Sequence, residues 1–307
     1  MKKTKHLHNG LMTTRGPGLI LLTLFLLGYV GIEEQANPTP YTANLVNHPL
    51  SATPILISNP LLTSTTISPR KVPLPLETDL PNFSAIKNVK QKKIRFFRYL
   101  LAYTQAENSR IKVKRDRIQL HQAQITTHKP LRPSDQKWLK NLAKYYKLPA
   151  NLNPNTEKFY PALLQLVDIL PPSMVLAQGA NESGWGGSRF AKKGNNLFGE
   201  WCHTKGCGLV PLQRQKGYNH EVARFGSVTA SVQAYYHNIN SHPAYAPLRK
   251  LREKLRHTAQ PITGMTLGEM LTPYSQRGAA YVKSIQNMIR INDLSRFDSA
   301  ISYPGST

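Results

Sequence analysis

The sequence predicts an α+β fold that is mostly helical, with one small β element. Two observations carry this expectation. From about residue 133 onward, apolar residues recur at helical spacing in segments separated by Pro, Gly and Asn. Between residues 197 and 225 that period breaks, and short segments punctuated by Gly and Cys take its place.

The elements follow in chain order. Lys2, Lys3, Lys5 and Arg15 precede an uncharged apolar run over residues 18–32. Basic residues before a short apolar stretch are the pattern of a secretory signal. The run is shorter than the ~20 residues that comfortably span a bilayer, and an uncleaved N-terminal membrane anchor is the second reading. Residues 33–81 are rich in Pro, Thr, Ser and Asn, and read as a disordered or extended linker, because the prolines forbid long helices. A basic helical region follows over residues 82–130. Between residues 87 and 117 it holds eleven basic residues against two acids. Phe96, Leu100 and Tyr103 fall at helical spacing there, and Ile111, Val113 and Ile118 do so more loosely, which indicates one or two helices.

The compact domain spans residues 131–295, with a short tail over 296–307. Its first segment places Trp138, Leu139, Leu142 and Tyr145 on one side. A later segment opens with Pro171 and Pro172, which the first helical positions tolerate, and stops at Gly184, Gly186 and Gly187. Short strands are expected over 197–201, 208–213 and 220–225, as a small hairpin or ribbon. Val228, Val232, Tyr235 and Ile239 mark the next buried face. Leu248, Leu251 and Leu255 mark another, and Val282, Ile285 and Ile289 a third. Residues 266–269, Thr-Leu-Gly-Glu, have capping-box spacing.

A formal net charge of +24 favours a polyanionic partner. No zinc-finger spacing, phosphate-binding glycine loop or clear helix-turn-helix is present, so nucleic acid is not the expected one. The basic helices read as a solvated face packed on the main domain, as a tether to an anionic membrane surface or cell-wall carboxylates, or, third, as a basic arm for nucleic acid. The two cysteines, Cys202 and Cys207, can form a disulfide across a tight turn if the chain is exported. A metal site would need more ligands than these sulfurs and His203. Neither metal nor cofactor is expected.

Within "AQGANESGWGGSRFAKKGNNLFGEW", residues 177–201, one acid draws notice. Glu182 shares a helix face with Val175, Gln178 and Gly179. A carboxyl beside small and apolar neighbours is partly desolvated, which raises its pKa and lets it keep a proton to donate. Mere helix termination explains it poorly, since a helix C-terminus favours cations. Asn195 and Asn196 supply amides, and Trp185, Phe198 and Trp201 supply flat apolar faces. Sugar rings need both. Each ring taken singly reads equally well as core.

"ANESGWGGSRFA" followed by "GNNLFGEW" resembles the endo-β-N-acetylglucosaminidase domain of cell-wall autolysins and flagellar peptidoglycan hydrolases, glycoside hydrolase family seventy-three. With "EWCHTKGCG" and the basic helical region it is most similar to the Bax protein group of Gram-negative bacteria. The resemblance covers about residues 133–293. It implies a lysozyme-like fold, Glu182 as general acid, Asn196, Leu197, Phe198 and Gly199 as the segment framing the cleft, and Tyr274 lining the site, with Tyr281 downstream. It further implies peptidoglycan glycan strands as substrate and a periplasmic or envelope location. Many members carry a second glutamate in the β-hairpin. Here the expected base or stabiliser is Glu221, with Glu200 as the rival and assistance by the substrate's acetamido group as a third option. A lytic transglycosylase and a non-catalytic glycan-binding envelope protein are the alternatives in function.

Overall fold

A computed structural model of the chain describes residues 80–298, apart from 213, 215, 216 and 218. The expected signal or anchor, the linker up to residue 79, and the tail from residue 299 lie outside these residues. Among the described residues no helix is long and apolar enough to cross a membrane. The architecture is α+β and mostly helical, as the sequence indicates.

The basic region forms one helix, α1 (Val89–Thr126), rather than two. Asn88 caps it, its side chain accepting from the Gln91 amide at 2.9 Å. Phe96, Leu100, Tyr103, Ile111 and Ile118 form its buried stripe. Val113, loosely expected on that stripe, is 45% exposed. It lies two residues from Ile111, which is roughly the opposite side of a helix. The stripe packs on α3 (Phe159–Leu166), α4 (Pro172–Ser183) and α6 (Val228–Ser241), and joins their hydrophobic core.

Between these elements, α2 (Pro133–Tyr145) buries Leu139 and Leu142. Tyr145 is exposed instead of buried, and Tyr146 takes the buried place. The helix ends there, and the turn swings the next ring inward. α4 is apolar or small over most of its length and is buried nearly all round, the signature of a central helix. A side chain at Gly179 would collide with Leu100, so glycine is what lets α1 cross so closely.

After α5 (Arg189–Gly194) come three very short strands: β1 (Trp201–Cys202), β2 (Gly208–Leu209) and β3 (Glu221–Ala223). The sheet is antiparallel in the order β1-β3-β2. The expected hairpin over the cysteines therefore does not pair with itself. β3 lies between its arms, with Trp201 opposite Val222 and Leu209 also opposite Val222. The Cys202–Cys207 disulfide is present and closes the turn joining the outer strands.

α7 (Ala246–His257), α8 (Gly264–Gly268) and α9 (Ala279–Ile291) complete the helices, with 3-10 turns at Phe83–Ala85, Pro243–Tyr245, Glu269–Tyr274 and Leu294–Phe297. α7 buries Leu248 as expected, but also Arg249 and Arg252. Arg252 donates to the carbonyls of Gln165 and Ile169 and to Asn240 Oδ1. Its guanidinium, with those of Arg115 and Arg256, surrounds the buried Asp168. The α8 cap is Thr263 and not Thr266: the Thr263 hydroxyl accepts from the Thr266 amide at 3.2 Å. Asp298 accepts from the amides of Ser173 and Gly264, tying the N-termini of α4 and α8 to the residue that follows the last 3-10 turn.

Candidate active site

Glu182 stands in the last turn of α4. The helix stops because Gly184, Trp185 and Gly186 take left-handed conformations in succession, with φ of 56°, 60° and 72°. Ser183 fixes this turn. Its buried hydroxyl donates to the Gly179 carbonyl and accepts from the Gly186 amide at 2.8 Å. A side chain at Gly186 would strike Phe83, so the turn also seats the N-terminal 3-10 element.

Glu182 is half-buried as a residue. Asn181 Nδ2 donates to its Oε1 at 3.0 Å. The Tyr281 hydroxyl donates to it as well. Desolvation raises its pKa above the ordinary carboxylate value. The two hydrogen bonds and the Arg277 charge offset part of that rise.

Behind Glu182 runs a buried chain of donors. Tyr235 donates to Gln178 Oε1 at 2.6 Å, and Gln178 Nε2 donates to the Tyr281 oxygen at 2.9 Å. The Tyr281 proton is thereby directed to Glu182. Gln178, Tyr235 and Tyr281 are all fully buried. The helical period puts Gln178 on the face of Glu182 but assigns no task to it or to Tyr235. Their partners lie 57 and 103 residues from Gln178 in sequence, beyond any local pattern.

The segment after α5 passes beside Glu182. A Cβ on Gly199, whose φ is 69°, would sit 3.8 Å from Glu182 Oε2. Asn196 shapes this segment. Its Nδ2 donates to the carbonyls of Glu200 and Ala223 at 2.8 and 2.9 Å, and its Oδ1 accepts from the amides of Phe198 and Glu200. Asn195 adopts a left-handed conformation at the end of α5 and donates to the Phe225 carbonyl at 3.1 Å. Both asparagines thus spend amide groups on backbone. Phe198, 1% exposed, stacks on Tyr235 at 4.1 Å between centroids. Buried Tyr274 stacks on Tyr281 and donates to the Phe198 carbonyl at 2.7 Å.

The two tryptophans stay half-buried. Trp185 meets Phe96 and Phe97 edge-on, with the Lys93 ammonium 5.2 Å from its ring centre. Trp201 stacks on His220 at 3.9 Å.

Glu221 and Glu200 have different settings. Both oxygens of Glu221 accept from the disulfide turn, from the Gly206 amide at 3.0 Å and the Gly208 amide at 2.8 Å. These bonds hold its pKa below the ordinary value, and they stitch β3 to the turn. Glu221 also lies close to both cysteines, but their sulfurs are bonded to each other and offer no thiolate to a metal. Glu200 is half-buried, and both its oxygens accept from Asn238 Nδ2, at 3.0 and 3.1 Å. Burial pushes its pKa up to about 7, with the charge of Glu182 adding to the rise. The carboxyl that senses Glu182 is therefore Glu200.

Residues 158–294 match the glucosaminidase family, described as mannosyl-glycoprotein endo-beta-N-acetylglucosaminidase. The chain is similar to Protein bax of Escherichia coli (strain K12), at 36% identity over 205 residues. The match covers 66% of this chain and 71% of that protein. No solved structure matches.

Proposed function

Because the chain belongs to the Bax-like glucosaminidase family, we propose that it is a peptidoglycan hydrolase that cuts glycan strands as an endo-β-N-acetylglucosaminidase. The family domain marks a glycosidase-type enzyme acting on a glycan. The choice of peptidoglycan, the bond and the catalytic group are the proposal's own. So is the lysozyme-like arrangement, in which an acid at a helix end faces a small sheet. One observation carries the reading: Glu182 ends a buried helix in a partly dry seat that raises its pKa. Such a carboxyl keeps its proton toward neutral pH and gives it to the glycosidic oxygen as the bond breaks. Charge builds on the sugar in an oxocarbenium-like transition state, and water completes hydrolysis. The half-buried Trp185 and Trp201 are the proposed apolar faces for sugar rings.

The test compares the wild type with Glu182→Gln on purified sacculi. The wild type should release soluble fragments ending in reducing N-acetylglucosamine, and Glu182→Gln should fall by roughly 10²–10⁴-fold. Equal background release from both would remove the proposal. Anhydro-muramic ends would identify a lytic transglycosylase instead. The proposal includes an envelope location, with exposed Lys87, Lys90, Arg95 and Arg98 facing anionic lipid. Vesicle binding that is indifferent to salt would remove that part.

A further inference from the structure

We infer that Glu200, clamped by Asn238, is the second working carboxyl group of the site, taking the proton of the attacking water while Glu182 protonates the leaving oxygen. The inference rests on the glycosidase reading above.

Three observations place it. Gly199 runs directly against the Glu182 carboxyl, and Glu200 is the next residue. Its backbone is fixed on both sides by Asn196, and its side chain by Asn238. It stands immediately before β1, so the acid at the sheet's edge follows in sequence the glycine that lies against the helix-end acid. Glu221, the strand's own glutamate, is occupied by the amides of the disulfide turn.

A purely structural clamp on Asn238 needs only an acceptor, which glutamine would supply without a charge. A buried carboxyl opposes ionisation, and this one is pushed up to about 7. The groups that face it are Asn238 and Tyr235 from α6, Glu182 from α4, Tyr245 from the turn before α7, and Tyr274 from the turn after α8. Burial opposes ionisation of both acids, and the charge of Glu182 adds to the rise at Glu200. The productive form carries a proton on Glu182 and none on Glu200. Asn238 favours that form, because its N–H donation stabilises the Glu200 anion.

The step balances. A water O–H bond breaks and its proton goes to Glu200, while the water oxygen bonds to the anomeric carbon. The bond from that carbon to the leaving oxygen breaks. Its electron pair stays on that oxygen, which takes the Glu182 proton. Solvent then returns the proton from Glu200 to Glu182.

The test uses the full chain on sacculi. Glu200→Gln should lower fragment release by roughly 100-fold or more with an unchanged melting temperature. Azide added to Glu200→Gly should restore part of the rate, because azide attacks without a base. Asn238→Ala should move the acid limb of the pH–rate profile upward, since the lost donor leaves Glu200 harder to ionise. Release by Glu200→Gln within about threefold of wild type, with Glu182→Gln inactive, would overturn the inference and spare the glycosidase reading. So would a loss that azide does not repair. If the Glu200 variants do not fold, the Asn238→Ala profile decides, and an unmoved limb overturns the inference. A wild type that releases nothing would fail the glycosidase reading itself.

Discussion

At the residue scale, Glu182 depends on what touches it. Burial opposes its charge, and Asn181 and Tyr281 limit how far that opposition goes. The Tyr281 bond favours the ionised form, so removing it raises the Glu182 pKa further. Tyr281→Phe should therefore move the basic limb of the pH–rate profile upward, because the acid stays protonated to higher pH. The rate should drop roughly tenfold, equivalent to about 1.4 kcal/mol of lost orientation. A pH–rate series on wild type and variant checks both, and a basic limb that stays put or moves down contradicts the donor role. Glu182 and its face were legible, because a helix period and a glycine stop fix where an i, i+4 neighbour lies. The Tyr235–Gln178–Tyr281 chain was not, because it joins three helices that only the tertiary fold assembles. Asn196 and Phe198 were legible as a motif but not in their setting. The structure commits the Asn196 amide to backbone and buries the Phe198 ring.

At the element scale, α1 follows the reading of a basic face packed on the main domain: its apolar stripe enters the core that surrounds α4. Leu100 lies in the space that Gly179 leaves open, close to the helix that carries Glu182. Leu100→Ala should destabilise the chain by about 2–5 kcal/mol, the cost of a buried leucine and its cavity. Thermal unfolding should show a lower midpoint, and an unchanged midpoint would mean that α1 is peripheral. Helices were readable because their period repeats over many residues. The strands were only located, since two or three residues carry no usable period. Their order was hidden because β3 pairs with segments up to 21 positions earlier, as Val222 does with Trp201. The leucine face of α7 was legible, but its two buried arginines were missed for another reason. Arginine reads as surface, while here Arg252 satisfies carbonyls and an aspartate deep in the fold.

At the scale of the whole molecule, acids are scarce: 16 against 40 lysines and arginines. Several of those drawn inside have an identifiable task. Asp168 gathers three arginines, Asp298 joins two helix starts, and Glu221 closes the disulfide turn. Glu182 and Glu200 differ from them. They are half-buried, no salt bridge relieves them among the described residues, and burial pushes both toward the protonated form. Asp168 is neutralised by arginines, and Glu221 is hydrogen-bonded into a lower pKa. Asp298, whose pKa burial also raises, is enclosed and held by Ser173 and the Gly264 amide. The Glu182 and Glu200 pair is left half-exposed. The most direct measurement is a carbon-13 NMR titration of glutamate carboxyl groups in the intact protein, with Glu182→Gln assigning the signal. A Glu182 carboxyl that titrates clearly above the ordinary value of about 4.3 is the predicted result. Titration at or below that value would contradict the role of Glu182 as proton donor.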